Sequence, residues 1–279
     1  MERTSEDPRQ QPESPVAAPV ASALGPGVAA GSLAWASAVG NRGVQRLARR
    51  AAARRALARL TPDEILEQYQ VEEDKTAVWR PKFFGEVPIP FADSRELTVT
   101  EGKLLDSLTW GRGLDGLRIF KNIAEAAFKV STAQFPDPPS IPSYVPAGRE
   151  VEWKNNDGHR DAYRHTYWNA RLVKEFNYKW TQQFTTAHEA LPGNTASREA
   201  MDLYNNEVGR NIARDNPKAS VDELEKLVRK AVDDGKCIVI DQAGKLQWSN
   251  AVPLWEHGLA PSGTRKGAIA VPAGDASVY

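Results

Sequence analysis

Four segments in succession, 157–176, 179–190, 197–214 and 220–233, repeat apolar residues at helical spacing, and no strand pattern interrupts them. This run constrains the chain to a mainly α fold. Asp222 and Glu223 open the last segment, and Arg229 and Lys230 close it, as the helix dipole favours. A fifth helix is expected from Leu114 to Phe135, where Leu117, Phe120, Ile123, Ala124, Ala127 and Phe128 keep the same period. Pro136, Pro138, Pro139, Pro142 and Pro146 end it and form a stiff linker. Thr61-Pro62-Asp63-Glu64 is the start of a short helix, with Thr61 as cap and Glu64 completing the capping box. After the helical run, Cys237–Asp241 and Leu246–Ser249 flank Gly244 and predict a β-hairpin.

The chain of 279 residues divides unevenly in charge: residues 1–60 hold nine Arg, no Lys and four acids, a net +5, while the other 27 basic and 32 acidic residues give −5. A formal charge of zero excludes a uniformly basic nucleic-acid binder. Residues 1–32 are rich in Pro, Ala, Gly and Ser without apolar period, so a disordered leader is expected there. An Arg-rich helix is expected over 33–60, with seven Arg between Arg42 and Arg59 and no acid among them. It reads either as a solvated basic face or as a binding face for an acidic partner. Residues 61–96 read as the short helix and an irregular Pro- and aromatic-rich connection, 97–256 as the helical domain with its hairpin, and 257–279 as a flexible tail. Acids and prolines near the start argue against a Sec signal peptide, and three prolines in the uncharged stretch Ser14–Asn41 argue against a transmembrane span. Cys237 is the single cysteine, which excludes an intrachain disulfide and suits synthesis in a reducing cytoplasm.

Polar residues sit where the helical period points inward. Asp161 and His165 are four apart on a face that continues to Trp168 and Leu172. Burying that pair unpartnered is costly, so it either locks two helices or holds one His165 nitrogen while the other meets a substrate or metal. His188-Glu189 ends the next helix, and Asp202, Asn205 and Asn206 share a stripe of the third. Asn is a poor interior helix former, so two in sequence indicate side-chain work, and Gly209 permits close approach of another chain or ligand. The expectation is one shared site with Asp161, His165, His188, Glu189 and Asp202 as catalytic groups and Arg164, Asn205, Asn206 and Arg210 as substrate contacts. In one version His165, His188 and Asp202 (or Asp161) hold a divalent metal while Glu189 activates water, on a phosphodiester or phospholipid clamped by Arg164 and Arg210. In another, Glu189 and Asp202 act as a metal-free carboxylate pair on a glycan such as peptidoglycan.

The run Asp157–Ala170 (DGHRDAYRHTYWNA), Ala187-His188-Glu189 and Met201–Arg210 (MDLYNNEVGR) together resemble an uncharacterised domain of bacterial polymorphic-toxin and secreted-effector proteins, over about Leu97 to Trp248. Val39–Leu47 (VGNRGVQRL) resembles the GNRAVQRL element of cargo and core proteins of extracellular contractile injection systems, with Gly43 in place of Ala. His188-Glu189 lacks the second His of an HExxH zinc-protease motif. The resemblances imply an effector made in the bacterial cytoplasm and delivered outside the cell by an injection apparatus. They imply docking of 33–60 to its sheath, tube or loading protein, and an immunity protein as a further partner. The alternative is a non-enzymatic protein in which the polar groups only knit helices together. A stable nucleic-acid complex is not expected, because Trp35 alone stands near the basic helix for stacking.

Overall fold

The computed structural model describes residues 60–83, 85–88 and 93–261, so the leader, the Arg-rich helix up to residue 59 and the tail from residue 262 lie outside it. Helix α1 (Pro62–Gln68) starts at the Thr61–Glu64 capping box and buries Ile65. Four short strands follow: β1 (Thr76–Trp79), β2 (Lys82–Phe83), β3 (Val87–Pro88) and β4 (Arg95–Thr98). They pair antiparallel as β1 with β4 (Thr76 opposite Thr98) and β2 with β3. The irregular connection expected over this stretch is therefore partly a ribbon. Its prolines disguised it, and Pro88 is tolerated because it ends a two-residue edge strand.

Helix α2 (Val99–Gln134) begins well before the expected Leu114, from a second capping box in which Thr98 and Glu101 satisfy each other's backbone. Gly113, at φ 61°, interrupts its helical geometry and divides it into two rods. A helix that was not anticipated, α3 (Glu150–Asn155), follows the proline linker. The four expected helices then appear almost residue for residue: α4 (His159–Glu175), α5 (Tyr178–Glu189), α6 (Ala196–Asp215) and α7 (Val221–Asp233). The hairpin is β5 (Ile238–Ile240) paired with β6 (Leu246–Trp248), Ile238 opposite Trp248. The protein is thus mainly α with a small C-terminal hairpin, and among the described residues no helix is long and apolar enough to cross a membrane.

Helix α4 lies at the centre, buried on nearly every side, although it carries more polar than apolar side chains. Phe120, Phe184 and Trp180 form a cluster of stacked and edge-on rings that packs α2 and α5 on one flank, with Trp168 of α4 edge-on to Phe120 at 6.2 Å. On the other flank α6 crosses against α4 at Gly209, where a Cβ would run into the carbonyl oxygen of Thr166 and come within 3.0 Å of the Asn169 Cβ. Gly209 accordingly admits a neighbouring helix of the same chain, and the ligand approach expected from sequence is not its use. Gly209→Ala forces this crossing apart. The expected cost is about 3 kcal/mol, a fall in Tm of roughly 6–12 °C, measurable by thermal denaturation; an unchanged Tm would show that the crossing is loose.

The segment 257–261, expected as tail, belongs to the core. Gly258 N–H donates to the Ile240 carbonyl at 2.9 Å, and Ala260 N–H donates to Asp157 Oδ2 at 2.9 Å. His257 lies 1% exposed, stacked on Trp153 with ring centroids 4.8 Å apart, its Nε2 2.8 Å from the Trp153 carbonyl. No apolar period marks this segment, because backbone bonds and one imidazole hold it. Asp157, in left-handed backbone at φ 69°, takes two hydrogen bonds from Arg198 at 2.8 and 2.6 Å. Burial holds His257 and His159 below the ordinary imidazole pKa. Unfolding therefore takes up protons as pH falls through that range, so both residues lower stability from about pH 6.5 downward. In His257→Gln the acid limb of a Tm-versus-pH curve should flatten relative to wild type; parallel curves would assign the acid loss elsewhere.

Candidate functional site

His165 is the hub of the polar centre. From α4 its ring reaches three carboxylates: Nε2 stands 3.3 Å from Asp161 Oδ1 and 3.5 Å from Asp202 Oδ1, and Nδ1 stands 3.7 Å from Glu189 Oε1. Asn206 Oδ1 is 3.2 Å from Nδ1. Asp161, His165 and Asp202 are 1%, 6% and 5% exposed, so these charges are inside the fold. Asn206 is itself positioned, taking a hydrogen bond from Asn169 Nδ2 at 2.5 Å and donating to Glu189 Oε1 at 3.0 Å. Asn169 Oδ1 in turn accepts from Thr185 and Arg210, at 3.0 and 3.1 Å. Asp161 accepts from the Asp157 N–H at 2.7 Å and pairs with Arg164.

The electrostatics divide these groups. Burial alone would raise the Asp161 pKa, but the Arg164 charge and His165 beside it hold it below the usual carboxylate range. Burial, with Asp161 and Glu189 nearby, pushes Asp202 well above that range against the opposing pull of His165. Burial would depress His165, yet Asp202 and Asp161 together outweigh it and the imidazole is raised. Two carboxylates of one site are thus driven in opposite directions, a pattern that clusters at functional sites. Asp202 Oδ1 makes no hydrogen bond among the described residues.

The structure gathers most, though not all, of the residues singled out from sequence. Asp161, His165, Glu189, Asp202 and Asn206 meet around one ring, with Arg164 on Asp161. His188 turns instead to Glu101, its Nδ1 2.9 Å from Oε1, and it is not among the three groups whose ligand atoms converge. Glu189 sits behind the imidazole at Nδ1, on the opposite ring nitrogen from Asp161 and Asp202, so it orients His165 and does not reach a water on the Nε2 side. The Glu189–Asp202 pair expected for glycan chemistry has the His165 ring between its members. Asn205 leaves the site altogether: its amide donates to the Ile238 carbonyl and accepts from the Ile238 N–H, both at 2.9 Å, tying α6 to the hairpin. Arg210 is buried on Asn169 and Thr185, a brace rather than an anion clamp. Asn169 and Thr185 were missed; Asn169 continues the stripe of Asp161 and His165 by another four residues and was detectable from that spacing.

A cavity of about 20 Å³ reaches His165 and is lined by Arg164 and His188 together with Ala124, Ala127, Phe128 and Trp168. It has room for one water. A larger cavity of about 150 Å³, bordered by Leu105, Leu117, Phe120 and Phe184 with Arg95 and Lys121, shares Ala124 with it. Among the described residues, Asp161, His165 and Asp202 form the group able to hold a metal ion, with ligand atoms within 4.8 Å of one another.

A family model described as a domain of unknown function (DUF6973) matches residues 119–236, which run from within α2 past the end of α7 and contain every residue around His165. No curated protein and no solved structure matches the chain.

Asp202 contributes stability that is present below the ordinary carboxylate range and lost as pH rises through its raised folded value. In metal-free protein, Asp202→Asn removes that loss. The expected result near neutral pH is a gain of about 1 kcal/mol or more, seen as a higher Tm and a flatter alkaline limb. A lower Tm at every pH would show the carboxylate to be a structural brace.

Proposed function

We propose that the described domain is a phospholipid hydrolase centred on His165, and that the whole chain is a bacterial effector delivered through a contractile injection system to which residues 33–60 dock. One observation carries the enzymatic part. The cavity at His165 is lined both by polar groups, Arg164, His165 and His188, and by apolar ones, Ala127, Phe128 and Trp168, with the Arg164 guanidinium 4.7 Å from the centre of the Phe128 ring. A phospholipid presents the same pairing, an anionic phosphodiester beside hydrocarbon. Arg164 is placed to take a phosphate oxygen, and the apolar cavity beyond Ala124 offers space for part of an acyl chain, with Arg95 and Lys121 at its border. Since the cavity beside His165 holds a single water, substrate enters when α2 moves away from α4 near Ala124–Phe128. The delivery part rests on the resemblance of Val39–Leu47 to cargo proteins and on the +5 charge of residues 1–60.

A second reading, a sealed polar lock without catalysis, draws on the small size of that cavity. The two separate in a bacterial host expressing the protein in the cytoplasm or the periplasm, wild type beside His165→Ala. Expected are growth arrest in one compartment, and hydrolysis of phosphatidylglycerol vesicles by purified protein that falls by about 10²-fold or more in His165→Ala. Absence of both toxicity and vesicle hydrolysis, with a lowered Tm in the variant, would favour the lock.

A further inference from the structure

We infer that Asp161, His165 and Asp202 form a binding site for one divalent first-row transition-metal ion, Zn²⁺ or Mn²⁺. Its use in hydrolysis rests on the function proposed above; its existence does not. Four observations converge on it. The first is spacing: a tetrahedral metal 2.0–2.1 Å from each donor sets ligand atoms about 3.3 Å apart, and His165 Nε2 lies 3.3 Å from Asp161 Oδ1 and 3.5 Å from Asp202 Oδ1. The second is the buried Asp202 Oδ1, which points into this group without a hydrogen bond. Polar atoms so enclosed are nearly always satisfied, and an ion is one of the few partners that fits here.

The third is the support behind the ring. Asn206 Oδ1 at 3.2 Å and Glu189 Oε1 at 3.7 Å are acceptors on the Nδ1 side of His165, and a metal at Nε2 would use the tautomer with its proton on that side. Metal-binding histidines are oriented by such outer partners. The fourth is charge. Three carboxylates, Asp161, Glu189 and Asp202, crowd one imidazole beside Arg164, and a divalent ion offsets that excess of acidic groups. Three protein donors also leave a coordination position open, as catalytic zinc sites do. Two carboxylates with one imidazole suit Zn²⁺ and Mn²⁺ better than softer ions.

The test is calorimetric titration of chelator-treated full-length protein with ZnCl₂ and with MnCl₂, alongside thermal unfolding and the Mn²⁺ electron-spin signal. The expected result is one ion bound per chain, a Tm raised by several degrees, and affinity reduced at least 100-fold in Asp202→Asn and Asp161→Asn, both with unchanged circular dichroism. Glu189→Gln should weaken binding about 10–100-fold through His165. No binding of either metal tighter than about 1 mM, or wild-type binding by folded Asp202→Asn, would overturn the site. Vesicle hydrolysis that persists in metal-free protein would remove the ion from the reaction and leave the hydrolase standing. Tight 1:1 binding without vesicle hydrolysis supports the site and counts against the enzyme.

Discussion

The crossing of α4 against α6 at Gly209 is the contact from which the rest of the structure follows. With hydrogen in place of a side chain, the backbone of α6 approaches Thr166 closely enough to bring two polar stripes face to face. Asp161, His165 and Asn169 on one helix then meet Asp202 and Asn206 on the other. A polar helix at the centre of a domain is expensive unless each group finds a partner. Here α5 supplies Glu189 and Thr185, and the hairpin supplies the backbone that satisfies Asn205. Removing the crossing would strand several buried polar groups at once.

All four histidines of the chain lie against the core, and their surroundings sort them into two kinds. His159 and His257 face backbone carbonyls, of Ser249 and Trp153, and burial depresses both. Burial opposes His165 and His188 as well, but their carboxylate neighbours outweigh it and raise them. The first pair fastens the C-terminal segment to the helices. His188 joins α5 to the capping box of α2 through Glu101, a residue that also satisfies the Thr98 backbone. Among the described residues, His165 has carboxylates at both ring nitrogens, and one of them, Asp202, has an oxygen without a hydrogen bond. An arrangement that leaves a buried oxygen of Asp202 without a hydrogen bond costs stability.

Much of the fold was legible because local chemistry repeats along the chain. The four helices from α4 to α7, the short α1 and the hairpin were all readable from period, caps and turn residues. The first rod of α2 was not, although Thr98 and Glu101 carry the same capping signature as Thr61 and Glu64; Gly111 and Gly113 broke the apolar pattern that would have supported it. The β1–β4 ribbon escaped notice because its partners are separated by prolines and pair across a long connection. Residues 257–261 escaped because nothing apolar and periodic holds them.

Residue types and spacing alone determined that three helices each present polar groups inward and that those groups need partners. They could not decide which neighbours serve which purpose. Asn205 and Asn206 are adjacent in sequence, but a helix turns them about 100° apart, so one fastens the hairpin and the other steadies His165. His188 and Glu189 part in the same way, to Glu101 and to the back of the imidazole. The tertiary structure decided these assignments, because a partner for a buried charge comes from whichever element packs against it. That choice is set by the crossing of distant helices, which no local pattern records.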